Sequence, residues 1–279
     1  MIKYFAKSAT GYSHLKNGTR CQDFSCCYHD NERTIVSACD GHGGAVYERS
    51  HLGSKFATKA VLKVLCGIEK NMFYKYTRQE IQEYIKLGIL CEWNALVEKD
   101  IASRRLLKKE IAHLDDKQIE GIKSNPVKMY GTTLGASMYL GNKLVCVSLG
   151  DGGVFVMSKG NMFLPFEDED EPVANYTYSL CQDDAYQHIN VAVFDAYNAD
   201  GVIVCTDGLV NPYQSVSNFH QSFAKPLVLS LRHDKIDQVD SFVEEMAQKT
   251  GFGDDVSLAV MIKQNCSMRY YKDKQNDGF

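Results

Sequence analysis

The chain has 279 residues, 44% of them hydrophobic and 24% charged, with a formal net charge of −4; that mix suits a soluble globular protein with a sizeable core. The slightly acidic balance argues against a general nucleic-acid binder, which needs a basic face. No apolar run is long enough for a spanning helix, and MIKYFAKSATGYSHLKNG at the start has no signal-like apolar region, so a cytoplasmic protein with no membrane partner is expected.

In chain order, residues 21–29 and 33–39 read as two strands joined by the turn His29-Asp30-Asn31-Glu32. Cys26 and Cys27, adjacent in the first, point to opposite faces. A helix is expected from about residue 45 to 66, with Phe56, Ala60 and Val64 on one face. A second, long helix is expected from about 78 to 114, with Ile81, Ile85, Ile89, Trp93 and Leu96 at helical spacing and packed in the core. From Gly131 the texture changes. Residues 133–140 and 144–149 read as strands around the turn Gly141-Asn142-Lys143, and 154–157 as a third.

The acidic run Glu167-Asp168-Glu169-Asp170-Glu171 reads as a solvated loop rather than a metal site. Residues 202–205 form a short strand, 233–249 a helix and 256–262 a last strand, before a polar tail from Asn265. Nothing divides the chain, so one domain over 1–264 and a loosely held tail over 265–279 are expected. None of the ten cysteines forms a Cys-x-x-Cys pair, which reads as reduced, structural thiols rather than a zinc site. Strands, helices, strands, helix and strand in that order fit α+β layers with mostly antiparallel pairing.

Aspartates recur at strand ends. Asp40, Asp151 and Asp207 each end a strand before a glycine; Asp254 precedes one; Asp23 opens one. A single Asp-Gly is ordinary turn chemistry. Several carboxylates brought to one edge would repel unless a cation filled them, and oxygen ligands select hard ions such as Mg²⁺ or Mn²⁺.

The motifs TRCQDF (19–24), ACDGHGG (38–44), YGTTLGASMYL (130–140), VSLGDGGVFV (147–156), IVCTDGLVN (203–211) and GFGDDVSLAVM (251–261) together resemble the metal-dependent protein phosphatases of the 2C type. The segment GYSHLKNGTRCQD (11–23) is similar to the bacterial branch. The resemblance covers about residues 10–262, and DGHGG is its most specific piece. It implies a four-layer αββα sandwich, two central antiparallel sheets flanked by helices, with a two-metal site at one end. It implies hydrolysis of phosphoserine and phosphothreonine in proteins, with a serine/threonine kinase as counterpart and a monomer as the working form.

By motif position, the resemblance makes Asp40 the bridge between two Mg²⁺ or Mn²⁺ ions, with the Gly41 carbonyl on the second. Asp207 and Asp254 fall on the first, Asp23 at the site through waters or directly, and Asp151 where a third ion can bind. His42 matches the proposed general acid, and Thr132 and Thr133 a structural motif. Departures are Gln22 before Asp23, Gly152-Gly153 after Asp151, and Asp255 after Asp254, where the flanking residues favour Asp254 as ligand. Gly18 stands where eukaryotic members carry a phosphate-binding arginine; Arg20, Lys16 and His14 are the cations nearby. Two other readings remain open from the sequence: a phosphoprotein-binding module with a degraded site, and a phosphatase for a small phosphorylated molecule.

Overall fold

The computed structural model describes residues 1–166, 177–249, 253–267 and 270–271. The acidic run 167–171, residues 251–252 of the last motif and most of the tail lie outside the described residues. Among the described residues ten strands form: β1 (Ile2–Ala9), β2 (Phe24–His29), β3 (Arg33–Cys39), β4 (Leu134–Leu140), β5 (Lys143–Leu149), β6 (Gly153–Ser158), β7 (Asn161–Phe163), β8 (Asn190–Asp195), β9 (Gly201–Cys205) and β10 (Val256–Lys263). They make two five-stranded antiparallel sheets, in the orders β1-β10-β9-β6-β7 and β2-β3-β4-β5-β8.

The central strands are apolar on both faces because both faces are covered. Alternate residues divide between two cores. Between the sheets lie Val36, Tyr139, Leu144 and Cys146, against Val154, Val156, Val202, Val204, Ala259 and Met261. Their neighbours Ile35, Met138, Val145 and Val147 face outward onto helices Ser50–Cys66 and Arg78–Ser103. On the other side Phe155, Ile203, Leu258 and Val260 pack with Leu227, Leu231, Val239 and Val243 of helices Lys225–Arg232 and Ile236–Lys249. The result is the expected αββα sandwich. Trp93 is fully buried, its indole N–H donating to the Gly53 carbonyl at 3.1 Å. All ten cysteines are free thiols. Among the described residues no helix is long and apolar enough to cross a membrane.

Four departures from the sequence reading stand out. The helix expected over 78–114 stops at Ser103, where Arg104 turns to extended backbone, and restarts as the turn Lys108–Ile111 and the helix Asp116–Ser124. Glu110 drives the break. One of its carboxylate oxygens takes the Leu107 amide at 2.7 Å, and the pair of them grips buried Arg49 at 2.8 and 3.1 Å. The helix expected from 45 begins at Ser50, because before it the Tyr47 amide turns back to the Gly44 carbonyl and the Arg49 amide is taken by the Met129 carbonyl, both at 2.9 Å. Strands β1, β7 and β8 and helix Lys225–Arg232 escaped the sequence reading; β1 pairs only with β10, some 250 residues away. The chain's end is also not all loose, since Cys266 and Tyr271 are buried in the helix-side core.

Arg49 is 3% exposed, and removing one partner of a buried ion pair strands the other charge, typically at about 3–5 kcal/mol. Glu110→Ala is therefore expected to lower the thermal midpoint by roughly 10 °C in a calorimetric melt; a change within one or two degrees would contradict this role.

Candidate metal centre

Antiparallel register carries the strand ends to one edge. Phe24, at the start of β2, pairs with Cys39, at the end of β3. Gly153, opening β6, and Leu258, near the start of β10, both pair with Cys205, the end of β9. Asp23, Asp40, Asp151, Asp207 and Asp254 each sit within a few residues of these pairs, so the two sheets deliver all five to the same end.

The carboxyl oxygens of Asp40, Asp151 and Asp207 lie within 4.8 Å of one another. Asp40 is the centre of the group, in side-chain contact with both Asp23 and Asp207. Asp23 is buried and accepts from the Thr206 hydroxyl at 2.8 Å. Burial raises the carboxyl pKa of Asp40, Asp23, Asp207 and Asp254, and neighbouring carboxylates raise it further. Asp254, desolvated on one side and open to solvent on the other, stands within the field of Asp151, Asp40 and Asp207, outside the tight trio. Asp151 accepts from the Thr177 hydroxyl at 2.5 Å, which ties it to the segment that follows the acidic run.

The residues fit a hard divalent cation. The donors are all oxygen. One oxygen of Asp207 is buried with no hydrogen-bond partner, while the other takes the Asn211 amide at 2.9 Å. A buried carboxylate oxygen left unpaired is costly unless an ion or water satisfies it.

Backbone pairing holds Asp40 in place. The Thr133 hydroxyl accepts from the Asp40 amide at 3.0 Å, and the Thr133 amide and Thr132 hydroxyl donate to the Asp40 carbonyl at 2.8 and 2.7 Å. The His42 amide donates to the Gly131 carbonyl at 3.1 Å. Thr132 and Thr133 are thus structural, as the motif implied. This short ladder uses Asp40 and His42 and leaves the carbonyl of Gly41 out of it. Only glycine fits at 41, since a Cβ would lie 2.5 Å from the Gln22 carbonyl oxygen and 2.8 Å from the Ser50 carbonyl. Gly208 is equally constrained, since a Cβ there would lie 2.1 Å from the Asp255 carbonyl oxygen. The half-buried His42 ring meets Tyr47 edge-on at 4.9 Å. Burial lowers its pKa, and the charge of Asp151 opposes that.

Sequence reasoning missed the role of Asp255. Its buried carboxylate accepts from the Gly11 amide at 2.8 Å and the Gln22 amide at 2.6 Å, with His14 Nδ1 at 2.9 Å. Asp255 is committed to the N-terminal segment, His14 with it, and Asp254 is the one turned toward the cluster. Two adjacent aspartates looked interchangeable in sequence; the buried glycine and glutamine amides that tell them apart are far away in the chain. Tyr47, Thr177, Thr206 and Asn211 were likewise unmarked.

Residues 10–244 match the family described as Protein phosphatase 2C. No curated protein sequence gives a match. Among solved structures, the chain is similar to the serine/threonine phosphatase of S. agalactiae, at 15% identity and TM-score 0.63, covering 94% of this chain and 99% of that one. It is similar to the serine/threonine phosphatase Stp1 from Staphylococcus aureus, at 14% identity and TM-score 0.57, covering 94% and 95%. It is also similar to the catalytic domain of the serine/threonine protein phosphatase PstP in complex with two manganese ions, at 17% identity and TM-score 0.55, covering 94% and 97%. At such identities these likenesses establish the fold.

The two neighbouring aspartates should separate cleanly in metal-free protein. Asp255→Ala strands two buried amides and is expected to cost about 2–4 kcal/mol in urea unfolding. Asp254→Asn removes a repelling charge and should leave stability equal or higher. The reverse order would contradict the assignment.

Proposed function

The chain belongs to the protein phosphatase 2C family and is a phosphatase, and from that premise we propose that it hydrolyses phosphoserine and phosphothreonine in proteins, using Mg²⁺ or Mn²⁺ held by the carboxylate cluster. The observation that carries this reading is the trio Asp40, Asp151 and Asp207, within 4.8 Å of one another, with a buried Asp207 oxygen lacking any partner.

Asp40, in contact with carboxylates on two sides, suits a ligand shared by two ions, with the Gly41 carbonyl beside it. Asp207 and Asp254 would complete one position. Asp23, buried behind Asp40, would act through water or directly, and Asp151 would serve a third, outer ion. Bound there, divalent cations supply water acidified toward neutral pH and charge to balance the phosphoryl oxygens. The chain's own part is positioning and proton transfer. Thr132 and Thr133 hold Asp40 from the far strand. Gly41 lets the backbone pass between Gln22 and Ser50. His42, oriented by Tyr47 and the Gly131 carbonyl, donates a proton to the departing serine or threonine oxygen. Its burial makes the imidazolium a stronger acid.

A groove of about 950 Å³ opens beside the site and would take a flanking segment of a polypeptide substrate. Tyr47, which touches His42, lines it with Val46, Lys117, Ile122 and Lys128. A serine/threonine kinase that installs the phosphate is the implied counterpart.

Hydrolysis of a phosphothreonine peptide is expected to vanish after exhaustive chelation and return with Mn²⁺ or Mg²⁺. Full activity in protein shown by metal analysis to carry no ion would sink the proposal.

His42→Ala should reveal its role through the leaving group. An alkoxide needs a proton in the transition state; nitrophenolate hardly does. Turnover is expected to fall about 10²–10⁴-fold on a phosphoserine peptide and much less on p-nitrophenyl phosphate. Equal losses on both substrates would point to positioning instead.

A further inference from the structure

The backbone of Gly41 is wedged between Gln22 and Ser50. Arg20 stands two residues before Gln22 and His51 directly after Ser50. These two side chains meet, with Arg20 Nη1 3.1 Å from His51 Nε2. A guanidinium can only donate, so the imidazole nitrogen accepts and the ring is neutral. Burial, and then the charges of Arg20 and Arg104, hold the His51 pKa down to about 4. The positive charge at this spot is therefore carried by guanidinium groups alone.

Those groups are incompletely matched. Glu110 is spent on Arg49 and the Leu107 amide. Asp100 accepts from the Tyr130 hydroxyl at 2.7 Å and serves Arg49 at 3.7 Å, leaving Arg104 a 3.4 Å contact with its other oxygen. Arg104 keeps about half its side chain exposed, at 48%. Exposed Arg20 has no carboxylate partner among the described residues. Arg20 lacks a carboxylate among the described residues and Arg104 has a single long contact, and both stay exposed in a chain whose net charge is −4. An acidic group of a bound peptide would complete the pairing of these two guanidinium forks.

We propose that Arg20, His51 and Arg104 form a subsite for an acidic group of the substrate polypeptide, a carboxylate or a second phosphate, held next to the residue being dephosphorylated. Arg20 and Arg104 supply the donors, and neutral His51 fixes the Arg20 guanidinium in place. The inference rests on the phosphatase reading above and narrows its substrate class to phosphoproteins with acidic flanks.

The test uses the full chain in saturating Mn²⁺ and peptides bearing a non-hydrolysable phosphonate, with neutral flanks, Asp/Glu flanks or a second phosphoserine. Binding is read by fluorescence anisotropy. One or both acidic peptides should bind roughly five- to tenfold tighter than the neutral one, and the advantage should shrink in high salt. Whichever acidic arm gains more identifies the source of the charge. Arg20→Glu and Arg104→Glu should each remove most of the preference. Equal affinity for acidic and neutral peptides in the wild type would overturn the subsite. So would a loss of the same size on every peptide in both variants. Acidic preference without hydrolysis of any ester would fail the phosphatase reading and leave the subsite standing; hydrolysis without preference would do the reverse.

Discussion

Mutual repulsion of carboxylates at one edge of the sandwich is the constraint on which the rest of the site depends. Two unit charges about 4 Å apart repel by about 4 kcal/mol at an effective dielectric of 20. Asp40 faces that cost from Asp23 and Asp207 together, and burial adds to it. A fold that carries such a cluster must hold it rigidly and must offer the charge an outlet. The rigidity comes from the threonine ladder under Asp40, the Thr206 hydroxyl on Asp23 and the Asn211 amide on Asp207. The outlet is an ion among the trio, where one buried oxygen of Asp207 has no hydrogen-bond partner.

The same constraint explains why Asp255 differs from its neighbour. The charge of Asp255 already weighs on Asp23 and Asp254, so it needs partners of its own. Asp255 turns inward, where the Gly11 and Gln22 amides donate to its carboxylate and His14 Nδ1 lies 2.9 Å away. In doing so it pins residues 11–22, and with them Asp23, to the start of β10. The metal-facing edge and the N-terminal latch are thus two sides of one dipeptide.

Much of this was legible in the chain because it is local. Asp40, Asp151 and Asp207 each follow an apolar strand and precede a glycine, and that pattern marks the edge without knowledge of the pairing. The αββα order followed from the motif set; the motifs gave Asp151 an outer position and Asp254 a core one, whereas the tight trio contains Asp151 and not Asp254. What escaped depends on partners distant in sequence. β1 carries two lysines and becomes a strand because β10 offers it an edge. The end of helix Arg78–Ser103 is set by Arg49, whose buried charge draws Glu110 out of a continuous helical pattern. The strand alternation was hidden too, since residues on both faces of the central strands are apolar and only packing separates Val36 from Ile35. The Arg20–His51 contact joins residues 31 apart and has no sequence signature at all.

The most direct test of the central claim is thermal unfolding of chelated protein titrated with Mn²⁺. An ion that binds only the folded state at a hundred times its dissociation constant stabilises it by about 2.7 kcal/mol, several degrees for a chain of this size. The wild type is expected to gain that shift, and Asp207→Asn to gain much less from the same titration while starting no less stable. A wild-type midpoint that does not move with Mn²⁺ would mean that the carboxylates tolerate one another without an ion, and would contradict the account.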